Sequence, residues 1–332
     1  MKKRHLALGA TSAVGAAIAW KFLTRKAEVR WEQVADRIHH ADNSKFAEVD
    51  GTRIHYQEFG EKNNPTIIML HGYSSSTHTW RETAPRLAKR GFHVLAVDMV
   101  GFGYSDKPAW FDYTITSQAR MISRFMDRLG IGRATIAGSS YGGTVASTLT
   151  LDYPERVEKL ILIGSPCNDE PLKHPMARLA KVPGLGEVTT AFLVDSKAFL
   201  RIRTHNTIAP ENHYIITDEK IDALYRPLNA ADGHNSMLKT LRNWSADRVE
   251  HDASLINQPT LIIWGEKDLV IPIKNGYKLN QLILNSRMVV FPNCGHLPHE
   301  ELTDSVVNVI NEFYNSKKTL EEVEKPKLEK AA

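Results

Sequence analysis

The sequence predicts an α/β protein, an open and mostly parallel β-sheet with helices on both faces. Three observations lead there. Short, continuous, β-branched runs alternate with helical stretches, the pattern of a parallel sheet whose strands are buried on both sides. The pentapeptide Gly138-Ser139-Ser140-Tyr141-Gly142 lies between one such strand and a helix, a strand–turn–helix context suited to a nucleophile. An acid and a histidine then follow two later strands, in the loops where doubly wound sheets place their ligand-binding groups.

In chain order, Phe46–Val49 and Arg53–Phe59 flank Asp50-Gly51, a hairpin turn between two strands. Strands are then expected at Thr66–Leu70, His93–Val97, Ala134–Ala137 and Lys159–Ile163. The helices between and after them are expected at Trp80–Lys89, Thr116–Leu129 and Thr144–Asp152. The alternation stops at Ser165-Pro166. It resumes with a strand at Thr260–Trp264, a helix near Asn275–Leu284, a strand at Arg287–Phe291 and a helix at Leu302–Phe313. The intervening 166–250 is helical in composition, broken at Pro183-Gly184 and Asp232-Gly233, and reads as an inserted cap. The core is expected from 28–165 and 251–316, with a charged tail at 317–332 where Lys and Glu alternate.

The 332 residues suffice for one large α/β domain with an insertion. The net charge of +4 is uneven: residues 1–30 carry +6 and the remainder −2. The basic balance therefore belongs to the N-terminus, and the body offers no footprint for nucleic acid. Lys2-Lys3-Arg4 precedes the uncharged stretch Leu6–Trp20. Residues 1–27 read as an uncleaved signal anchor that makes the protein membrane-associated. The alternatives are a signal peptide cut after Ala19, giving a secreted protein, and an amphipathic helix. The two cysteines, Cys167 and Cys294, lack the spacing of a metal site or disulfide framework and read as free, mostly buried thiols.

A serine hydroxyl is a poor nucleophile until a base takes its proton, and the base needs an acid to orient it. Ser140 is the candidate nucleophile, with Gly138 and Gly142 as requirements of its tight turn. Gly265-Glu266-Lys267-Asp268 follows one late strand and Pro292-Asn293-Cys294-Gly295-His296 the next. Asp268 is the expected acid and His296 the expected base. Glu266 and His299 are their neighbouring competitors. His71 is expected to hold its loop by hydrogen bonding and Asp98 to brace the same region. One oxyanion donor should be the backbone amide of Tyr141, directly after the nucleophile. The sequence has no phosphate loop, metal cluster or dinucleotide fingerprint, so no cofactor and no metal is expected.

Five segments together resemble the α/β-hydrolase family: His71-Gly72-Tyr73, Asp98–Asp106, the turn at Ser140, Trp264–Asp268 and Gly295-His296. The order Ser, Asp, His is that family's order. The resemblance implies a mostly parallel eight-stranded sheet, a helical cap over the site, and the Tyr73 amide as the second oxyanion donor. Serine at the elbow excludes the chemistry of relatives that carry aspartate there. The N-terminal stretch, the cap length and Asn293-Cys294-Gly295-His296 look most like membrane-associated monoacylglycerol lipases and related esterases. The expected function is ester hydrolysis through an acyl-enzyme, on a small-molecule or lipid ester. A meta-cleavage-type carbon–carbon bond hydrolase is the enzymatic alternative, and a ligand receptor without turnover the non-enzymatic one.

Overall fold

The computed structural model describes residues 31–173 and 175–316. Eight strands, β1 (Ser44–Val49), β2 (Thr52–Phe59), β3 (Thr66–Leu70), β4 (His93–Val97), β5 (Ala134–Ser139), β6 (Val157–Ile163), β7 (Thr260–Gly265) and β8 (Ser286–Phe291), form one sheet. Its order is β1-β2-β4-β3-β5-β6-β7-β8. β2 runs antiparallel to both its neighbours, and every other pairing is parallel. The β1–β2 hairpin closes on Asp50-Gly51. Both residues have positive φ, 47° and 75°, which matches the right-handed strand twist at a two-residue turn.

Period-two alternation divides the sheet between two cores. Ile68, Leu70, Leu95 and Val97 point to one side, and Ile67, Met69, Val94 and Ala96 to the other. The first face packs on α2 (Ile115–Arg128) and α3 (Tyr141–Asp152), and the second on α1 (Thr83–Lys89) and the C-terminal helix Thr303–Asn315. The strands of β3 and β4 are almost wholly buried, each Val, Leu or Ile contributing about 1.5–3 kcal/mol. α2 starts where the Thr114 hydroxyl accepts the Ser117 amide.

Between β6 and β7 lie α4 (Pro175–Lys181), α5 (Leu185–Val194), α6 (Lys197–Thr207), α7 (Asp218–Leu228), α8 (Gly233–Arg242) and α9 (Asp247–Asp252). This helical insert bonds to loops at the carboxyl ends of core strands. The Ser236 hydroxyl donates to Gly101 O at 2.6 Å and the Tyr73 phenol to Met237 O at 3.0 Å. α10 (Lys274–Leu282) links β7 to β8, and α11 (Pro298–Glu301) precedes the C-terminal helix, α12 (Thr303–Asn315).

Two expectations need correction. The helix after the pentapeptide begins at Tyr141, not Thr144, because Ser140 itself occupies the N-cap position and its carbonyl already accepts from Gly143 and Thr144. The stretch expected as one helix from Trp80 to Lys89 is a 3-10 turn, Thr77–Trp80, followed by α1; the Ser76 side chain caps the turn. No helix among the described residues is long and apolar enough to cross a membrane. The stretch Leu6–Trp20 lies outside them.

Candidate active site

Ser140 stands between β5 and α3 with φ 51° and ψ −121°. Positive φ in a serine costs on the order of 1–3 kcal/mol, and such strain persists only where the surroundings over-determine it. They do so here. The Ser140 amide donates to Ile163 O of β6 at 2.8 Å, and the Gly143 amide to Ser140 O at 2.8 Å. Gly142 packs so closely under the end of β3 that a Cβ there would lie 2.3 Å from Leu70 O. Gly138 is confined in the same way by the first turn of α3, 2.2 Å from Gly142 O. Ser140 keeps partial exposure at the end of a buried strand.

The β7 and β8 loops are zipped together. The Glu266 amide donates to Phe291 O and the Lys267 amide to Cys294 O, both at 2.9 Å. Asp268 is thereby turned inward. One of its carboxylate oxygens accepts from the amides of Val270 and Ile271 at 2.8 and 2.9 Å, and the other from His296 Nδ1 at 2.7 Å. Asp268 and His296 are 8% and 4% exposed. The imidazole rests on Gly164, whose φ of 55° and a Cβ position 3.1 Å from His296 Nδ1 make a side chain there both strained and tight. Ser140 and His296 therefore lie against consecutive residues, Ile163 and Gly164, at the end of β6. With Nδ1 protonated toward Asp268, Nε2 carries the free lone pair and can accept a proton.

The competitors are placed elsewhere. Glu266 is exposed. His299 is fully buried against Trp80, 4.3 Å between ring centroids, with Nε2 at 2.8 Å from the Thr79 hydroxyl, and burial pushes its pKa down to about 3. His71 Nδ1 donates to Gly72 O at 2.8 Å while Nε2 accepts the Met99 amide at 3.1 Å, so both ring nitrogens are spent on the loop. Asp98 binds the Thr77 amide, the Tyr104 amide and His55 Nδ1 at 2.6, 2.8 and 2.7 Å. Burial raises the Asp98 pKa, but His55 and these donors outweigh it and hold the carboxyl below its usual range.

A Cβ on Gly72 would come within 3.3 Å of Ser140 Cβ, which brings the Tyr73 loop beside the serine. Among the described residues no acceptor takes the amide of Tyr73 or Tyr141. Burial pushes both phenols up, so they stay neutral. Tyr141 packs 5.0 Å from Trp244 of the insert and 6.1 Å from Phe102, a buried aromatic cluster next to the serine. Four further residues at this site escaped the sequence reading: Gly164, Trp244, Arg203 and Glu301. Arg203, on α6, has no hydrogen-bond or ion-pair partner among the described residues. Burial lowers its pKa, the Tyr73 phenol opposing. Cys167 and Cys294 are free and buried. Among the described residues no cluster of His, Cys, Asp and Glu could hold a metal ion. A groove between α6 and α7, lined by Lys197, Arg201, Asp218 and Asp222, is spanned by its own ion pairs and includes none of the expected site residues.

A parallel sheet with a strained serine at a strand–helix junction and a carboxylate-bound histidine is the framework of a hydrolase of α/β architecture. The chain belongs to the alpha/beta hydrolase fold family, which it matches over residues 65–302. It is 27% identical to an uncharacterized hydrolase of Bacillus subtilis, over 80% of this chain and 95% of the relative. It is also 27% identical to a 2-hydroxy-6-oxononadienedioate/2-hydroxy-6-oxononatrienedioate hydrolase of Burkholderia vietnamiensis, over 84% of this chain and 99% of that one. Among solved structures it resembles a meta-cleavage product hydrolase from Pseudomonas fluorescens, 28% identical with a TM-score of 0.69, over 82% of this chain and 97% of the other.

Proposed function

We propose that the protein is a serine hydrolase of carboxylic esters, with Ser140 as nucleophile, His296 as base and Asp268 as the acid that orients it. The observation that carries this reading is the meeting of the strained Ser140 turn and the 2.7 Å His296–Asp268 pair at the end of β6. His296 Nε2 takes the Ser140 proton as Oγ attacks the acyl carbonyl. The tetrahedral oxyanion rests on the Tyr73 and Tyr141 amides, and His296 returns its proton to the leaving alcohol. Water, activated by the same histidine, then releases the acyl-enzyme. The helical insert acts as a cap. Phe102, Tyr141 and Trp244 make the surroundings of the serine apolar, which suits an acyl chain.

A second reading, carbon–carbon bond hydrolysis of the meta-cleavage type, is favoured by the names of two of the relatives and by Arg203. A dienoate carboxylate would pair with this part-buried arginine, which has no acid partner among the described residues. One experiment separates the two. Purified protein is labelled with a fluorophosphonate, then assayed on esters of graded acyl length and on a ring-cleavage dienone acid. Labelling at Ser140 with turnover of esters supports the first reading. Turnover of the dienone acid alone replaces it with the second. Absence of labelling and of both activities removes the serine-hydrolase assignment.

A further inference from the structure

α11 carries two adjacent buried acids that are compensated in different ways. Glu300 sits between two cations, Lys220 of α7 and Arg81. Burial pushes its carboxyl up, but Lys220 and Arg81 outweigh this and hold it well below the usual carboxylate range. Glu301 is 4% exposed and has no cationic partner among the described residues. Its charge is met by four N–H groups and by the thiol of the buried Cys294. The Gly295 amide reaches both oxygens, at 3.0 and 2.9 Å, and the Leu297 amide lies 3.3 Å from one of them. The other oxygen accepts from the Ala209 amide and from Asn212 Nδ2, each at 2.9 Å.

The identity of these four N–H donors gives the arrangement its meaning. Gly295 and Leu297 are the residues on either side of His296. Ala209 and Asn212 belong to the insert. Two further bonds join the same partners: the His296 amide donates to Thr207 O at 2.7 Å, and Asn212 Nδ2 also reaches Asn293 O at 3.0 Å. A neutral acceptor would satisfy one or two amides. A carboxylate facing four donors makes several charge-assisted bonds at once, each stronger and more directional than a neutral one. The backbone that carries the imidazole is therefore gripped at both ends by one side chain, and the other half of that side chain is bound to the insert.

We propose that Glu301 is a positioning residue, which holds His296 in register with Asp268 and ties that register to the position of the helical insert. The proposal rests on the reading of His296 as the base, but its geometric part can be tested without activity. The Nδ1 proton of His296, bonded to Asp268 at 2.7 Å, should give a strongly deshielded proton resonance in wild-type protein and in Ser140→Ala. Glu301→Gln replaces one acceptor oxygen by an NH2 that faces N–H donors. It should shift or abolish that resonance. It should also slow fluorophosphonate labelling of Ser140 and lower kcat by roughly 30-fold, with KM changed by less than about threefold. Glu301→Asp, which keeps the charge, should recover part of the loss. Asn212→Ala, which removes one insert donor, should slow labelling by about fivefold in a protein that still folds, its thermal midpoint lowered by the buried acceptors left short of a donor, and it serves as the test if Glu301→Gln does not fold. An unchanged resonance and a labelling rate within about threefold of wild type, in folded Glu301→Gln or in Asn212→Ala, would overturn the proposal. A resonance that depends on Glu301 in a protein that never labels at Ser140 would uphold the positioning role and remove the hydrolase reading instead.

Discussion

Ser140, Asp268 and His296 are where the functional reading meets single atoms. Ser140→Ala removes only Oγ from a turn whose backbone is held by Ile163 O and the amide of Gly143. The protein should fold normally and lose on the order of thousandfold or more in kcat; near-normal ester hydrolysis by the folded variant would remove the nucleophile assignment. The two loop acids separate cleanly. Asp268→Asn keeps the shape of the side chain but can present an NH2 to His296 Nδ1, which favours the wrong tautomer. It should cost on the order of 10⁴-fold. Glu266→Gln changes an exposed side chain and should cost little. Kinetics of the pair decide the matter, since a larger loss in Glu266→Gln would transfer the role.

At the scale of elements, the end of β6 is the shared floor of the site. Gly164→Ala would place a methyl 3.1 Å from His296 Nδ1 in a residue held at φ 55°. The imidazole must give by a few tenths of an ångström and the backbone is strained at positive φ, which together should cost on the order of 10-fold in rate. We expect that loss in kcat with a folded protein; full activity would show that His296 tolerates the shift. α11 and the Thr77–Trp80 turn set the acid limit of stability. Burial holds His299 at a pKa of about 3, with Glu300 opposing, while an unfolded histidine titrates near 6.5. Below about pH 6.5 the unfolded chain binds a proton that the native protein refuses. Stability therefore falls as pH drops from about 6.5 toward about 3, by about 1.4 kcal/mol per unit for this residue. Glu300 acts in the same direction lower down, because a carboxyl held below its ordinary value loses its contribution as pH falls through that lower value. Urea midpoints at pH 7.5 and 5.0 check this. His299→Gln, whose amide can still donate to Thr79, should recover about 2 kcal/mol at the lower pH relative to wild type. An unchanged pH slope would mean that the buried ring is protonated in the native state.

For the whole molecule, the sheet and its helices leave the charge asymmetry unexplained: +6 lies in residues 1–30 and −2 in the remainder. We propose that this segment tethers the hydrolase to an anionic membrane surface, where a lipid ester would be concentrated. Full-length protein should then fractionate with membranes. A chain beginning at Glu28 should remain soluble. It should lose more activity on membrane-embedded monoacylglycerols than on short, water-soluble esters. Equal loss on both substrates would make the segment part of the fold, and recovery of protein cut after Ala19 would make it a signal peptide.

What the sequence determined by itself is local. Strands β3 and β4 were legible to the residue because buried parallel strands are written as short β-branched runs. The Asp50-Gly51 hairpin was legible because few dipeptides accept two positive φ values. Ser140, Asp268 and His296 could be named because each occupies the loop immediately after a strand, where chain order and sheet geometry coincide. What only the tertiary structure decided depends on distant residues meeting. Glu266 and Asp268 are two positions apart, and the zipper between the β7 and β8 loops turns one outward and the other onto His296. Glu301 gives no sign in sequence that Ala209 and Asn212 join its near neighbours Gly295 and Leu297 as donors, because that half of its pairing is made by the fold. Arg203 and Trp244 read as ordinary helix residues until the insert is laid across the sheet. Burial and partner choice are properties of packing, and no window of sequence contains both sides of a contact made across some 90 positions.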